Sequence, residues 1–147
     1  MGLGNISITG NYPEVSKDIM LSKLNILKEP FLENFNPNIN DRIDRIKRIQ
    51  KLVEENIDAF HKSLREDFGS RHEQLSLMAD TMPVINNAKH ALKNIKKWVK
   101  QDNRKPNFPL GLLGSKAYVQ FQPYGVVGII SPWNFPLTLS IAPLIEI

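Results

Sequence analysis

Apolar residues recur at intervals of three and four along the first hundred positions and then at intervals of two. The first stripe, Ile19, Met20, Leu24 and Leu27, follows Ser16, whose hydroxyl suits an N-cap, and Pro30 is expected to end it. Phe31, Leu32 and Phe35 are expected to anchor the next connection. A longer stripe, Ile43, Ile46, Ile49, Val53, Ile57, Phe60 and Leu64, predicts one helix capped by Asn38 or Asn40. Asp41 and Asp44 sit favourably at its positive N-terminal end, and Gly69 is the expected stop. A third helix is predicted from Ser70, because Ser70-Arg71-His72-Glu73 matches the Ser-x-x-Glu capping box. Leu75, Met78, Met82, Ile85, Leu92, Ile95 and Val99 carry its stripe. Pro83 lacks an N–H and crowds the preceding turn, so it should kink or restart that helix.

Residues 101–115 contain Pro106, Pro109, Gly111 and Gly114 and read as a connection. Beyond them the period changes. Tyr118, Val119, Gln120, Phe121 and Gln122 alternate as a half-exposed strand does, and Pro123 ends the run. After Gly125, the segment Val126-Val127-Gly128-Ile129-Ile130 is apolar without alternation, the pattern of a parallel strand covered on both faces by helices. Next comes Pro132-Trp133-Asn134-Phe135-Pro136. Each proline fixes its own φ and steers the residue before it away from the α region, so Ser131 and Phe135 should be extended and the loop stiff. Residues 137–147 look like the start of another helix, with Pro136 in its first turn and Asn134 or Phe135 near its cap.

Composition narrows the function only by exclusion. A length of 147 residues is that of one domain, and 41% apolar with 23% charged residues is ordinary for a globular chain. No run of eighteen apolar residues occurs, so no membrane span is expected. Residues 1–7 offer neither the basic nor the apolar region of a signal peptide, and the Asn5-Ile6-Ser7 sequon is idle without secretion, which points to a cytoplasmic protein. Cysteine is absent, which excludes disulfides, thiolate metal sites and a thiolate nucleophile within these residues. His61, His72 and His90 lack ligand spacing and are expected on helix surfaces, with no metal. The net charge of +4 and pI of 9.4 raise a nucleic-acid reading, centred on Lys89, Lys93, Lys96, Lys97, Lys100, Arg104 and Lys105. Trp98 is the only aromatic among them before Phe108, so a solvated helix face explains them better and no nucleic-acid partner is expected.

The chemistry concentrates in the proline-flanked loop. A stiff loop at the carboxyl end of a buried strand is where open α/β sheets bind ligands. Asn134 offers an amide N–H that could stabilise developing negative charge, or it closes an Asx-turn, as loop asparagines commonly do. Trp133 either stacks on a planar ligand or plugs the sheet. The helical stripes alone would also suit a free-standing bundle that binds a partner helix, but that reading leaves the switch of period and the rigid loop unexplained.

The segment Tyr124-Gly125-Val126-Val127-Gly128-Ile129-Ile130-Ser131-Pro132-Trp133-Asn134-Phe135-Pro136-Leu137 resembles the strand-and-loop signature of the aldehyde dehydrogenase superfamily. Asp67-Phe68-Gly69, followed by Glu73, and the helical stretch ending at Lys97-Trp98 resemble its class 3 and coniferyl-aldehyde branch. The resemblance implies an α/β fold, with an N-terminal helical region and connection over 1–114, an oligomerisation-type strand over 115–123, and over 124–147 the first buried strand of a Rossmann-like domain with its loop and following helix. It implies oxidation of an aldehyde to a carboxylic acid through a cysteine thiohemiacetal, with NAD or NADP as cofactor and a dimeric or tetrameric full-length enzyme. Asn134 would donate its amide to the oxyanion. Ile130, Ser131, Pro132 and Trp133 would lie along the cofactor, and Phe135 and Leu139 would help line the aldehyde tunnel. In the family the ribose-gripping residues, the general base and the cysteine follow the matching stretch, so the chain is expected to be an N-terminal portion, inert alone and prone to associate through uncovered apolar surface.

Overall fold

A computed structural model describes residues 15–147. The readings made on residues 1–7 lie outside the described residues. Helix α1 spans Lys17–Glu33, and the Ile19 N–H donates to Ser16 Oγ at 3.3 Å, the expected cap. Pro30 does not end it. The helix continues one further turn because a proline so near the end forfeits a single bond, to the carbonyl of Ile26, and Ile26 is exposed where water can replace it. No residue of α1 is buried.

The long helix predicted from Asn38 to Gly69 is two. In α2, Ile39–Glu55, the Asn38 Oδ1 accepts from the N–H groups of Asn40 and Asp41 at 2.9 and 3.0 Å. The chain breaks at Asn56, whose side-chain amide donates back to the Leu52 carbonyl at 2.8 Å and so competes with the backbone ladder. Helix α3, Ile57–Phe68, then runs to Gly69, whose φ of 71° is the left-handed stop.

Ser70 is not a cap. His72 is extended and its Nδ1 accepts from the Gln74 N–H at 3.3 Å, so the short helix α4, Glu73–Ser76, begins with Glu73 itself, too early for the reciprocal bond of a capping box. A π-helical turn, Leu77–Thr81, leads into α5, Met82–Trp98, with Pro83 in its first turn. Widening the ladder by one residue makes room for the proline ring, so the break falls in front of Pro83.

The core lies between three helices. Ile46 and Val53 of α2, Val84, Ala88, Ala91 and Ile95 of α5, and Leu137 and Ile145 of α6, Pro136–Glu146, are buried together, with α5 packed against both others. Asn87 ties α5 to α6 by donating to the Ala142 carbonyl at 3.3 Å. His61 is buried in α3, contrary to the expected surface position. Thr81 Oγ1 lies 3.2 Å from His61 Nε2 and within hydrogen-bond reach of the Leu77 carbonyl, so the His61 ring links α3 to the π turn. The lysines at 89, 93, 96, 97 and 100 are all exposed. No helix among the described residues is long and apolar enough to cross a membrane.

Strands β1, Asp102–Arg104, and β2, Ala117–Val119, pair antiparallel, with Asn103 opposite Tyr118. The expected connection over 101–115 therefore contains a strand, and the alternating run pairs only as far as Val119. Residues 126–130 form no strand. Val127 and Gly128 are exposed and Ile130 is 99% exposed, because among the described residues no neighbouring strand is present to bond them and no helix covers both faces.

Candidate active-site loop

Helix α6 starts at a proline but has no capping side chain of its own. Phe135, at its N-cap position, has no side-chain acceptor, and the first-turn residue Pro136 is followed by amides that need one. Asp80 supplies it from the π turn. Its Oδ1 accepts from the N–H groups of Leu137 and Thr138 at 3.2 and 3.3 Å, a carboxylate against the positive end of the helix. Thr138 Oγ1 donates to the Asp80 carbonyl at 2.7 Å, which closes a ring between the two elements.

The other carboxylate oxygen, Oδ2, accepts from Arg71 Nη2, and this pair is enclosed, with side-chain exposures of 0% for Asp80 and 4% for Arg71. Arg71 Nη1 donates to the backbone carbonyl of Asn134 at 2.8 Å. The guanidinium carbon also lies 4.7 Å from the ring centre of Phe68 and 5.1 Å from that of Phe135, within cation–π range of both. A planar fork held by two aromatic rings and a carboxylate thus fixes the carbonyl of the loop's central residue.

The sequence-predicted residues fall into two groups on this frame. Trp133 (86% exposed), Ile130 and Pro132 face solvent, with Ser131 half-buried between them. Phe135 is half-buried against Arg71, and Leu139 is half-buried on α6 with its N–H donating to the Phe135 carbonyl at 3.0 Å. Asn134 is exposed, and its side chain makes no hydrogen bond among the described residues. An Asx-turn would need an N–H two residues on, and that residue is Pro136; the next amide, of Leu137, is taken by Asp80. The carboxamide is left free to meet something else.

Sequence reasoning missed Arg71, Asp80 and Thr138. Two signals pointed to them: Asp80 is the only charged residue between Glu73 and Lys89, and α6 begins without a capping side chain. A separate apolar groove of about 1660 Å³ runs between α1, α2 and the ends of α5 and α6, lined by Phe31, Ile49, Leu52, Trp98 and Val126 among others. None of residues 130–135 borders it, so it lies apart from the loop. Among the described residues no cluster of three or more His, Asp or Glu could hold a metal ion.

A family model described as "Aldehyde dehydrogenase family" matches residues 12–146. The chain belongs to the aldehyde dehydrogenase family. It is 35% identical to a coniferyl aldehyde dehydrogenase of Pseudomonas sp. strain HR199 over 95% of its length and 28% of that relative. It is 38% identical to a probable coniferyl aldehyde dehydrogenase of Caulobacter vibrioides over 89% of its length and 27% of the relative. Aldehyde dehydrogenase family 3 member B3 of Mus musculus is 30% identical over 95% of the chain and 29% of that protein. The chain spans little more than a quarter of these relatives' length. Membership of an oxidoreductase family agrees with the α/β class, of which the described residues are a mostly helical part with a two-stranded sheet.

For the nicotinamide cofactor that the family implies, residues 130–133 fit one role. Ile130, Pro132 and Trp133 present an exposed edge ending in an indole, with Ser131 half-buried between them, which would suit one wall against a planar ring.

Proposed function

We propose that the chain is the N-terminal part of an NAD- or NADP-dependent aldehyde dehydrogenase and that its loop forms the oxyanion side of the active site. The observation that carries this is the state of Asn134, whose backbone is clamped by Arg71 while its carboxamide is exposed and unclaimed. An amide donor carried on a fixed backbone stabilises the charge that develops on an aldehyde oxygen when a nucleophile adds to the carbonyl. The nucleophile is a cysteine thiolate, supplied by residues outside the 147, since these contain none. Ile130, Ser131, Pro132 and Trp133 would flank the nicotinamide cofactor, which when bound would supply the two-electron hydride acceptor that aldehyde oxidation needs. Phe135 and Leu139 border the aldehyde's path. The names of the two bacterial relatives support an aromatic aldehyde such as coniferyl aldehyde as substrate, with aliphatic aldehydes as the alternative. Homo-oligomerisation of the whole enzyme, as a dimer or tetramer, belongs to the same reading.

The test is to read the coding DNA past codon 147 and express the complete reading frame. With coniferyl aldehyde and NAD or NADP, Asn134→Ala should lower kcat by on the order of 10²-fold or more while leaving the nucleotide KM unchanged. Wild-type turnover in that variant refutes the assignment. A stop codon directly after Ile147, with no activity toward coniferyl aldehyde or hexanal, favours a helical interaction module instead.

A further inference from the structure

We infer that Arg71 and Asp80 are positioning residues that set the donor geometry of Asn134, an inference that rests on the oxyanion reading above. The two side chains anchor the loop at its centre and where it enters α6. Arg71 holds the carbonyl of Asn134, and Asp80 holds the amides of Leu137 and Thr138, only three and four residues further on. Between the anchors lie Phe135, whose ring rests on the Arg71 guanidinium, and Pro136, whose φ is locked. With the backbone fixed on both sides of Phe135, the Asn134 carboxamide keeps only its own side-chain torsions, and the clamp sets the point from which it donates.

The chemistry requires arginine specifically. Two nitrogens of one rigid plane serve two different acceptors, the Asn134 carbonyl and the Asp80 carboxylate, so the angle between loop and π turn is fixed by the guanidinium itself. A lysine ammonium keeps the charge but has no fork, and would let the loop swing. Asp80 divides its two oxygens in the same way, one to Arg71 and one to the start of α6, which makes the pair a hinge pin between the loop and the helix behind it.

A merely structural pair and a positioning pair differ in how their loss combines with loss of Asn134. In the complete enzyme, Arg71→Lys should lower kcat by roughly 10- to 100-fold, the penalty typical of a misplaced catalytic group, with the nucleotide KM unchanged. In the Asn134→Ala background the same change should produce no further loss, because there is no longer a donor to aim. Asp80→Glu, which keeps the charge but shifts the carboxylate, should behave likewise and serves if Arg71→Lys does not fold. Hydrogen exchange gives a readout independent of turnover: the Leu137 and Thr138 amides should exchange faster in Asp80→Glu, with the amides of α2 unchanged, and at the wild-type rate in Asn134→Ala. Disabled Asn134→Ala with wild-type kcat in both clamp variants overturns the inference alone, as do losses that multiply in the double variant. A silent Asn134→Ala overturns the oxyanion reading and the catalytic purpose of the clamp with it.

Discussion

Replacing Asp80 by alanine should come close to unfolding the chain. The side chain is fully enclosed and its charged partner, Arg71, has a side-chain exposure of 4%, so the guanidinium cannot turn to water when its counter-ion is removed. Breaking a buried pair from one side costs about 3–5 kcal/mol, because a bare charge is left in the interior. The amide of Leu137, itself buried, also loses its acceptor, which adds about 1–3 kcal/mol. The two losses share one carboxylate and are not fully additive, so a total of about 4–6 kcal/mol is expected, against about 5–15 kcal/mol for a whole domain. Urea unfolding of the 147-residue chain followed by far-ultraviolet circular dichroism measures it. The diagnostic comparison is the double variant Asp80→Ala/Arg71→Met, which should regain much of the loss by removing the stranded charge. A loss below about 1 kcal/mol in the single variant, the scale of an exposed ion pair, would refute the reasoning, as would a double variant less stable than the single one.

Gly125→Ala should also destabilise, because the backbone there has φ 98° and a methyl group would sit 3.0 Å from Cε1 of Phe31 on α1. A loss of about 1–3 kcal/mol in the same unfolding assay is expected from strain and overpacking together, and an unchanged midpoint would contradict the close approach of the two segments. Trp133 should behave as a solvent-exposed indole. In a Trp98→Phe background its emission should be red-shifted and freely quenched by acrylamide, whereas shielded, blue-shifted emission would place it in the packed interior instead.

The helical half of the chain was legible because its signals are local. Ser16, Asn38 and Gly69 act within one turn of their own positions, and their hydrogen bonds are found where the spacing puts them. Where local signals competed, the sequence misled: Asn56 offers the Leu52 carbonyl a side-chain partner and divides one expected helix into two, and His72 takes the capping role from Ser70. The run at 126–130 failed for a different reason. Its composition describes the surroundings of a buried strand, and those surroundings would have to come from residues other than the ones described. The loop itself was recognisable from its two prolines and its amide, but its support was hidden, since Arg71 and Asp80 precede Asn134 by more than fifty positions and no periodicity links them.

That separation gives the loop an unusual kind of address. Residues 130–139 carry the groups proposed to do chemistry, yet the instructions for holding them are written in the turn between α3 and α5. The loop is therefore not a portable cassette: grafted onto another framework it would bring its tryptophan and its carboxamide but not their orientation, and a graft faithful to the geometry must carry residues 68–82 along with it.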